Sequence, residues 1–204
     1  MSDLRKALGD IDSIRQQMAR STEFRGYGPA TLATTAAIAL GAACLQAVWA
    51  PDAAHHLDRY LIIWLTTAAV SAALIGTQMI ARTQRVHSGI ADAMIRMAVE
   101  QFLPSLGAGV MLTVVLARFV PSALWMLPGL WQVCSGIGIF SSCRFLPRPM
   151  LAAGAWYLLT GLVCIALGGE RALSPWAMGI PYGVGQLLVA GVLFLKKRED
   201  ADED

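Results

Sequence analysis

The sequence predicts an all-α, polytopic integral membrane protein. Six transmembrane helices form a bundle with both termini on the cytoplasmic side, flanked by cytoplasmic amphipathic helices. Three observations carry this. First, 56% of the 204 residues are apolar and 15% are charged, whereas a soluble domain of average composition carries about 25% charge. Second, the charged residues leave long gaps: none lies at 29–50, 60–81, 101–117, 119–143, 149–169 or 172–195. Third, Lys and Arg fall on one side of the resulting spans. This composition excludes a disordered chain, a disulfide scaffold and an ordinary soluble enzyme.

A hydrocarbon core about 30 Å thick takes roughly 20 helical residues. Spans are therefore expected near 29–50, 60–80, 101–119, 122–142, 149–168 and 175–195, which together make a transmembrane domain over 29–195. Lipid cannot satisfy backbone amides, so apolar runs of this length are helices. The third is the weakest, being short and ending at Arg118. Orientation supports it. With six spans and both termini inside, 13 of the 16 Lys and Arg residues are cytoplasmic, leaving Arg59, Arg118 and Arg171 outside. Without the third span the asymmetry falls to ten against six. The first apolar run is too long for a cleaved signal and is expected to be a retained anchor.

The segment before the first span, residues 1–28, places Leu4, Ala7, Ile11, Ile14 and Met18 at heptad spacing, and Leu8 widens the stripe. Two heptads are too few for a free coiled coil. The segment is expected to be a cytoplasmic amphipathic helix lying on the membrane surface or docking a partner through Leu4, Leu8, Ile11, Ile14 and Met18. Residues 86–102 repeat the theme as an interfacial helix, with Asp92, Arg96 and Glu100 at i, i+4 and i+8 forming a solvated ion-pair ladder. Residues 196–204 make a charged cytoplasmic tail.

Between the first two spans, His55 and His56 sit beside Asp52 and Asp58. Adjacent histidines cannot easily share one compact metal site, so a solvated loop is expected. Trp49, Tyr60, Trp64, Trp125 and Trp176 fall near the outer interface and read as an aromatic belt. The third to sixth spans hint at a parallel repeat. Pro104–Gly109 and Pro149–Gly154 agree at four of six positions, and each leads to a partner span with an internal proline, Pro128 or Pro181. Coincidence in an Ala/Gly/Leu-rich chain is the alternative. Those prolines are expected to break their helices. Gly179 and Gly183 form a GxxxG pair, which most often marks close helix packing.

Catalytic and cofactor motifs are not found: no HExxH, GxSxG, P-loop or GxGxxG occurs. Nor does an Asp, Glu, Lys or His lie deep within a span, the usual requirement of proton-coupled transport. The four cysteines, Cys44, Cys134, Cys143 and Cys164, have no CxxC spacing and read as small packing residues. An enzyme is not expected, nor a metal, a cofactor or a nucleic-acid partner. Uncharged polar groups remain. Gln132 and Gln186 each lie eleven residues into their spans, about 16 Å deep at 1.5 Å per residue. They are expected to face each other or a common cavity, flanked by Trp131, Tyr182 and Ser135. Two functions fit in a bacterial inner (cytoplasmic) membrane. One is a substrate-binding or permease-like protein for a neutral or apolar small molecule, without its own energy-coupling site. The other is a regulatory or scaffold protein that docks a cytoplasmic partner, or a second copy, through its N-terminal helix.

Overall fold

The structure, a computed structural model, describes residues 28–85, 89–142 and 150–202. These form six long helices: α1 (Pro29–Trp49), α2 (Leu57–Arg85), α3 (Gly89–Phe119), α4 (Leu127–Ser142), α5 (Met150–Leu167) and α6 (Pro175–Asp202). A 3-10 segment, Pro121–Met126, leads into α4, and a one-turn helix, Gly169–Ala172, leads into α6. The chain is thus all-helical over these residues, with six helices long and apolar enough to cross a membrane. The proposed docking stripe Leu4, Leu8, Ile11, Ile14 and Met18 lies outside the described residues, as does His87.

Local chemistry sets the boundaries. Gly28 is extended (φ −97°, ψ 157°) and Pro29 follows at the first helical position, where its fixed φ suits the helix and its missing N–H is not needed. Helix α5 stops at Gly168 and Gly169, whose φ values of 66° and 51° lie in the left-handed region that favours glycine. Pro128 explains the 3-10 entry to α4. Having no N–H, it cannot bond the Leu124 carbonyl four residues back, and the Leu127 N–H takes that carbonyl instead.

The interfacial helix expected over 86–102 is not separate from the third span. Gly89–Phe119 is one 31-residue helix that passes through Pro104. A proline there removes the donor to the Glu100 carbonyl, and Glu100 is exposed. Amphipathic and spanning stretches share one helical period, so residue spacing alone could not place a break between them.

Helices α4 and α5 pack intimately, as do α1 and α6. Close contacts also join α3 to α4, α2 to α1 and α5 to α6, whereas α2 and α3 barely touch. The six therefore form an arc in the order α2, α1, α6, α5, α4, α3, closed weakly between its two ends. Glycine makes the tight seams. A Cβ on Gly129 would lie 2.6 Å from the Gly161 carbonyl oxygen, and one on Gly136 would lie 2.9 Å from that of Gly154. Both pairs are seven residues apart, two turns of helix, so the antiparallel backbones touch twice. Gly179 and Gly183 serve the other seam, packing on Ala43 and Leu40 of α1. The GxxxG pair is a packing device.

Candidate functional site

Both fully buried amides, Gln46 and Gln132, lie toward the end of the bundle that holds Trp49, Pro121 and Pro175. The network begins with a backbone defect. Pro181 lies inside α6 and cannot donate to the Ala177 carbonyl. Gln132, fully buried on α4, supplies the missing donor: its Nε2 reaches the Ala177 oxygen at 2.9 Å and the Met178 sulfur at 3.9 Å. The turn before α6 is held in the same way. Gln46 Nε2 donates to the Leu173 oxygen at 2.7 Å, Cys164 Sγ to the Ala172 oxygen at 3.6 Å, and Trp156 Nε1 to the Pro181 oxygen at 2.9 Å. Side chains from α1, α4 and α5 thus hold four carbonyls between 172 and 181. The Ala177 carbonyl, which lacks the Pro181 N–H, is one that lipid would leave unsatisfied.

Gln46 does double duty, since its Oε1 accepts the Trp64 indole N–H at 2.7 Å. It lies on the α1 face that carries Leu32, Thr35, Ala36, Ala39, Ala42 and Ala43, all buried, so the small residues make room for the amide. Tyr60 and Trp64 from α2 complete the cluster, with ring centroids 6.4 Å apart. Both are buried, at 1% and 3% exposure, whereas Trp49 and Trp176 are 45% and 49% exposed. Tyr60 and Trp64 therefore belong to the core and not to an aromatic belt, while Trp49 and Trp176 are exposed.

The predicted site residues separate into three groups. Ser135 and Tyr182 meet, hydroxyl to hydroxyl at 3.1 Å, and the Tyr182 ring packs on Tyr157 with centroids 5.2 Å apart. Trp131 turns toward α3, donating to Thr113 Oγ1 at 2.9 Å. Gln132 and Gln186 are not paired. Ala177, which Gln132 reaches, precedes Gln186 by nine residues, about 13 Å of helix. The expectation of equal depth counted both spans as unbroken helices from their outer prolines. Residues 121–126 are instead a 3-10 segment; Gln132 lies in the second turn of α4, and its bond to Ala177 sets it level with the start of α6. Gln186 sits half-buried farther along α6. The expected breaks are not seen: α6 runs on through Pro181 as one helix, and Pro128 is the second residue of α4, so each proline withholds its own N–H without ending a helix.

No protein-family model, curated protein or solved structure matches this chain. Its chemistry is therefore read from the site itself. Two oxygens stand out: Gln132 Oε1 and Tyr60 Oη are buried without a hydrogen-bond partner among the described residues. Leaving such a group unpaired costs about 1–3 kcal/mol. Tyr60, Met178 and Trp64 share one packed cluster, with Trp131 and Tyr182 against it, and Gln132 reaches the same Met178. The pair offers one acceptor and one hydroxyl that both donates and accepts. Among the described residues, no three His, Cys, Asp or Glu side chains gather as metal ligands. The residues that sequence reasoning missed are Gln46, Tyr60 and Trp64. The available signal was an amide on the alanine-rich face of α1.

Charge appears at the helix ends. Arg59 donates to the Trp49 carbonyl at 3.2 Å and lies 5.7 Å over the Trp49 ring, an arrangement that suits a cation at a helix C-terminus. In the adjoining turn, His55 Nδ1 is 2.8 Å from an Asp52 carboxylate oxygen, and both side chains are well exposed. The hydrogen bond to Asp52 raises the His55 pKa above its ordinary 6.5, and the bond to His55 lowers that of Asp52 below 3.8. The ion pair holds the turn fully below the ordinary histidine pKa and is lost as pH rises through the raised value. At the acid end it is lost as pH falls through the lowered Asp52 value. A ring-proton NMR titration is expected to give His55 a midpoint above 6.5, and Asp52→Asn is expected to bring that midpoint down. Equal midpoints in both proteins would contradict the pairing.

Proposed function

We propose that this chain is a multi-pass membrane protein, substrate-binding or permease-like, for a small neutral molecule, with no catalysis and no energy-coupling site of its own. Its support is a single observation: two buried, unpartnered oxygens, that of Tyr60 inside one packed cluster and that of Gln132, whose amide nitrogen reaches Met178 of the same cluster. A neutral guest with an N–H or O–H group would satisfy Gln132 Oε1, and its own oxygen or nitrogen would accept from Tyr60. Ser135, Tyr182 and Trp131 border the same region. The uneven distribution of Lys and Arg supports an orientation with both termini inside, in a bacterial cytoplasmic membrane.

The test is a panel of small neutral donor–acceptor solutes (urea, acetamide, glycerol, ethanol) added to the purified chain. Binding is read as thermal stabilisation and as a change in tryptophan emission, since Trp64, Trp125 and Trp131 adjoin the cluster. At least one solute is expected to stabilise the protein. Tyr60→Phe, which removes the hydroxyl and nothing else, is expected to weaken that response about tenfold, the equivalent of one hydrogen bond of about 1.4 kcal/mol. Silence across the panel, or a response unchanged by Tyr60→Phe, would overturn the proposal.

One observation favours the scaffold reading. At the Pro29 end three helices outrun their charge-free runs: α2 continues past Ala81 to Arg85, α3 begins at Gly89, twelve residues before the run that opens at Gln101, and α6 continues past Leu195 to Asp202. The connections at the opposite end are short turns. Such extensions suit a cytoplasmic protein partner or a second copy. On this reading the solute panel stays silent.

A further inference from the structure

Helix α3 is seated on one side only. Its buried and half-buried positions Ala98, Phe102, Ser105, Gly109, Leu112 and Leu116 follow one another at alternate steps of four and three, the repeat by which two nearly parallel helices mesh. This stripe meets α4. Ser142 Oγ donates to the Ala98 carbonyl at 3.1 Å, Gly138 lies against the Phe102 ring, and Gly109 lies against Trp131.

The same repeat recurs on the opposite face. Arg96, Glu100, Leu103, Gly107, Val110 and Val114 keep the steps of four and three, two residues out of phase with the first stripe, which is about 200° of helix rotation. All six are exposed. Leu103, Val110 and Val114 stand at 52%, 56% and 55% exposure, and a Cβ on Gly107 would meet nothing within 4 Å. No described residue of the chain covers this second stripe.

Its apolar part asks only for hydrocarbon, but its charged end asks for more. Arg96 and Glu100 are one turn apart, and neither has an ion-pair partner among the described residues. Within one helix the favourable order four residues apart is acid before base, and here the base comes first. Copies inserted in one orientation are related by an axis along the membrane normal, so equal residues lie at equal depth. Arg96 of one copy then stands about 6 Å along that axis from Glu100 of the other, and symmetry makes the pair twice. An unrelated protein would have to bring a matching acid and base at that spacing; a second copy has them already. Arg118 lies one residue past the next step of the repeat, in the last turn of α3, where a cation suits the helix C-terminus.

We propose that a second copy of this chain docks on this stripe, α3 against α3 in parallel. Leu103, Val110 and Val114 pack across the axis, and two Arg96–Glu100 pairs close its charged end. Polar groups at such positions fix partner and register. The dimer rests on the reading of the chain as a multi-pass membrane protein and is independent of Gln132 and Tyr60.

The experiment uses the full chain in bilayers, with serine in place of its four cysteines and single cysteines introduced for oxidative cross-linking. Leu103→Cys, Val110→Cys and Val114→Cys are expected to give disulfide-linked dimers. Leu106→Cys and Val115→Cys, exposed but about a quarter turn off the stripe, are expected to give far less. Arg96→Glu and Glu100→Arg are each expected to cut cross-linking through Val110→Cys about tenfold, because like charges then meet across the axis. Mixed together, those two variants are expected to cross-link to each other at the parent's level. Equal cross-linking at all five positions would mark chance collision and overturn the dimer. So would mixed charge variants that recover no better than either alone, or a stripe cysteine captured by a different membrane protein. A membrane-bound chain that stays single ends the dimer alone, whereas a chain recovered outside the membrane fraction ends the multi-pass reading with it.

Discussion

Gly161→Leu is expected to leave almost no folded protein. The Gly161 backbone faces that of Gly129 so closely that a Cβ there would lie 2.7 Å from the Gly129 oxygen, 2.9 Å from Val133 Cγ2 and 3.0 Å from Gln132 Cβ. Carbonyl and Cβ atoms cannot turn away as the end of a long side chain can, so the larger residue forces α4 and α5 apart along their whole contact. Even Gly161→Ala is expected to destabilise by about 1–3 kcal/mol, the usual penalty for overpacking, although alanine favours a helix over glycine by about 1 kcal/mol. Leucine exceeds that range, because separation of the helices also opens the Gly136–Gly154 contact and moves Gln132 away from Ala177. The contrast comes from Gly107, where a new Cβ meets nothing within 4 Å. Gly107→Ala is expected to be neutral or slightly stabilising. Unfolding titrations in mixed micelles would show both, and equal effects at the two positions would refute the seam.

The same seam shows what the sequence could and could not tell. The six long apolar helices were legible because a bilayer-length run without charge is read from each segment alone. Packing is a relation between segments. The seven-residue spacing of Gly129 with Gly136 and of Gly154 with Gly161 means nothing until α4 is known to lie antiparallel to α5. Gln132 shows the limit more sharply. The sequence marked it as an amide too polar for lipid and marked Pro181 as a lost hydrogen bond. Depth counted along ideal helices paired the amide with Gln186. Its actual partner is the carbonyl that Pro181 leaves without a donor. A backbone group has no letter in the sequence, so this match between a side chain and a defect was out of reach. Tyr60 and Trp64 were misplaced for a related reason: interfacial and buried aromatics look alike until the neighbouring helix supplies Gln46.

Gln46→Leu is expected to cost about 2 kcal/mol with the helices still inserted. The substitution keeps the volume and removes both hydrogen bonds, leaving the Trp64 indole N–H and the Leu173 carbonyl without their partner. Trp64 is 3% exposed and Leu173 is 4% exposed. Two orphaned groups at about 1–3 kcal/mol each would give a larger figure. Side-chain bonds between spanning helices, however, average about 0.6 kcal/mol, because helices separated in lipid find other partners. The two groups differ in this respect. Trp64 belongs to a helix whose indole can reach an interface once α2 separates, so its share is small. Leu173 lies in the turn between the one-turn helix and α6, where its carbonyl has no helical donor to return to. Most of the loss is therefore assigned to the carbonyl. A double-mutant cycle with Trp64→Phe separates the shares: Trp64→Phe alone is expected to cost about 1 kcal/mol, and the pair less than the sum, with coupling of about 0.5–1 kcal/mol. Gln186→Leu, at a half-buried position away from this network, is expected to stay within about 0.5 kcal/mol of the parent. If Gln46→Leu and Gln186→Leu proved equally mild, Gln46 would not be what holds the turn onto α1, and the polar core would have to rest on Gln132 alone.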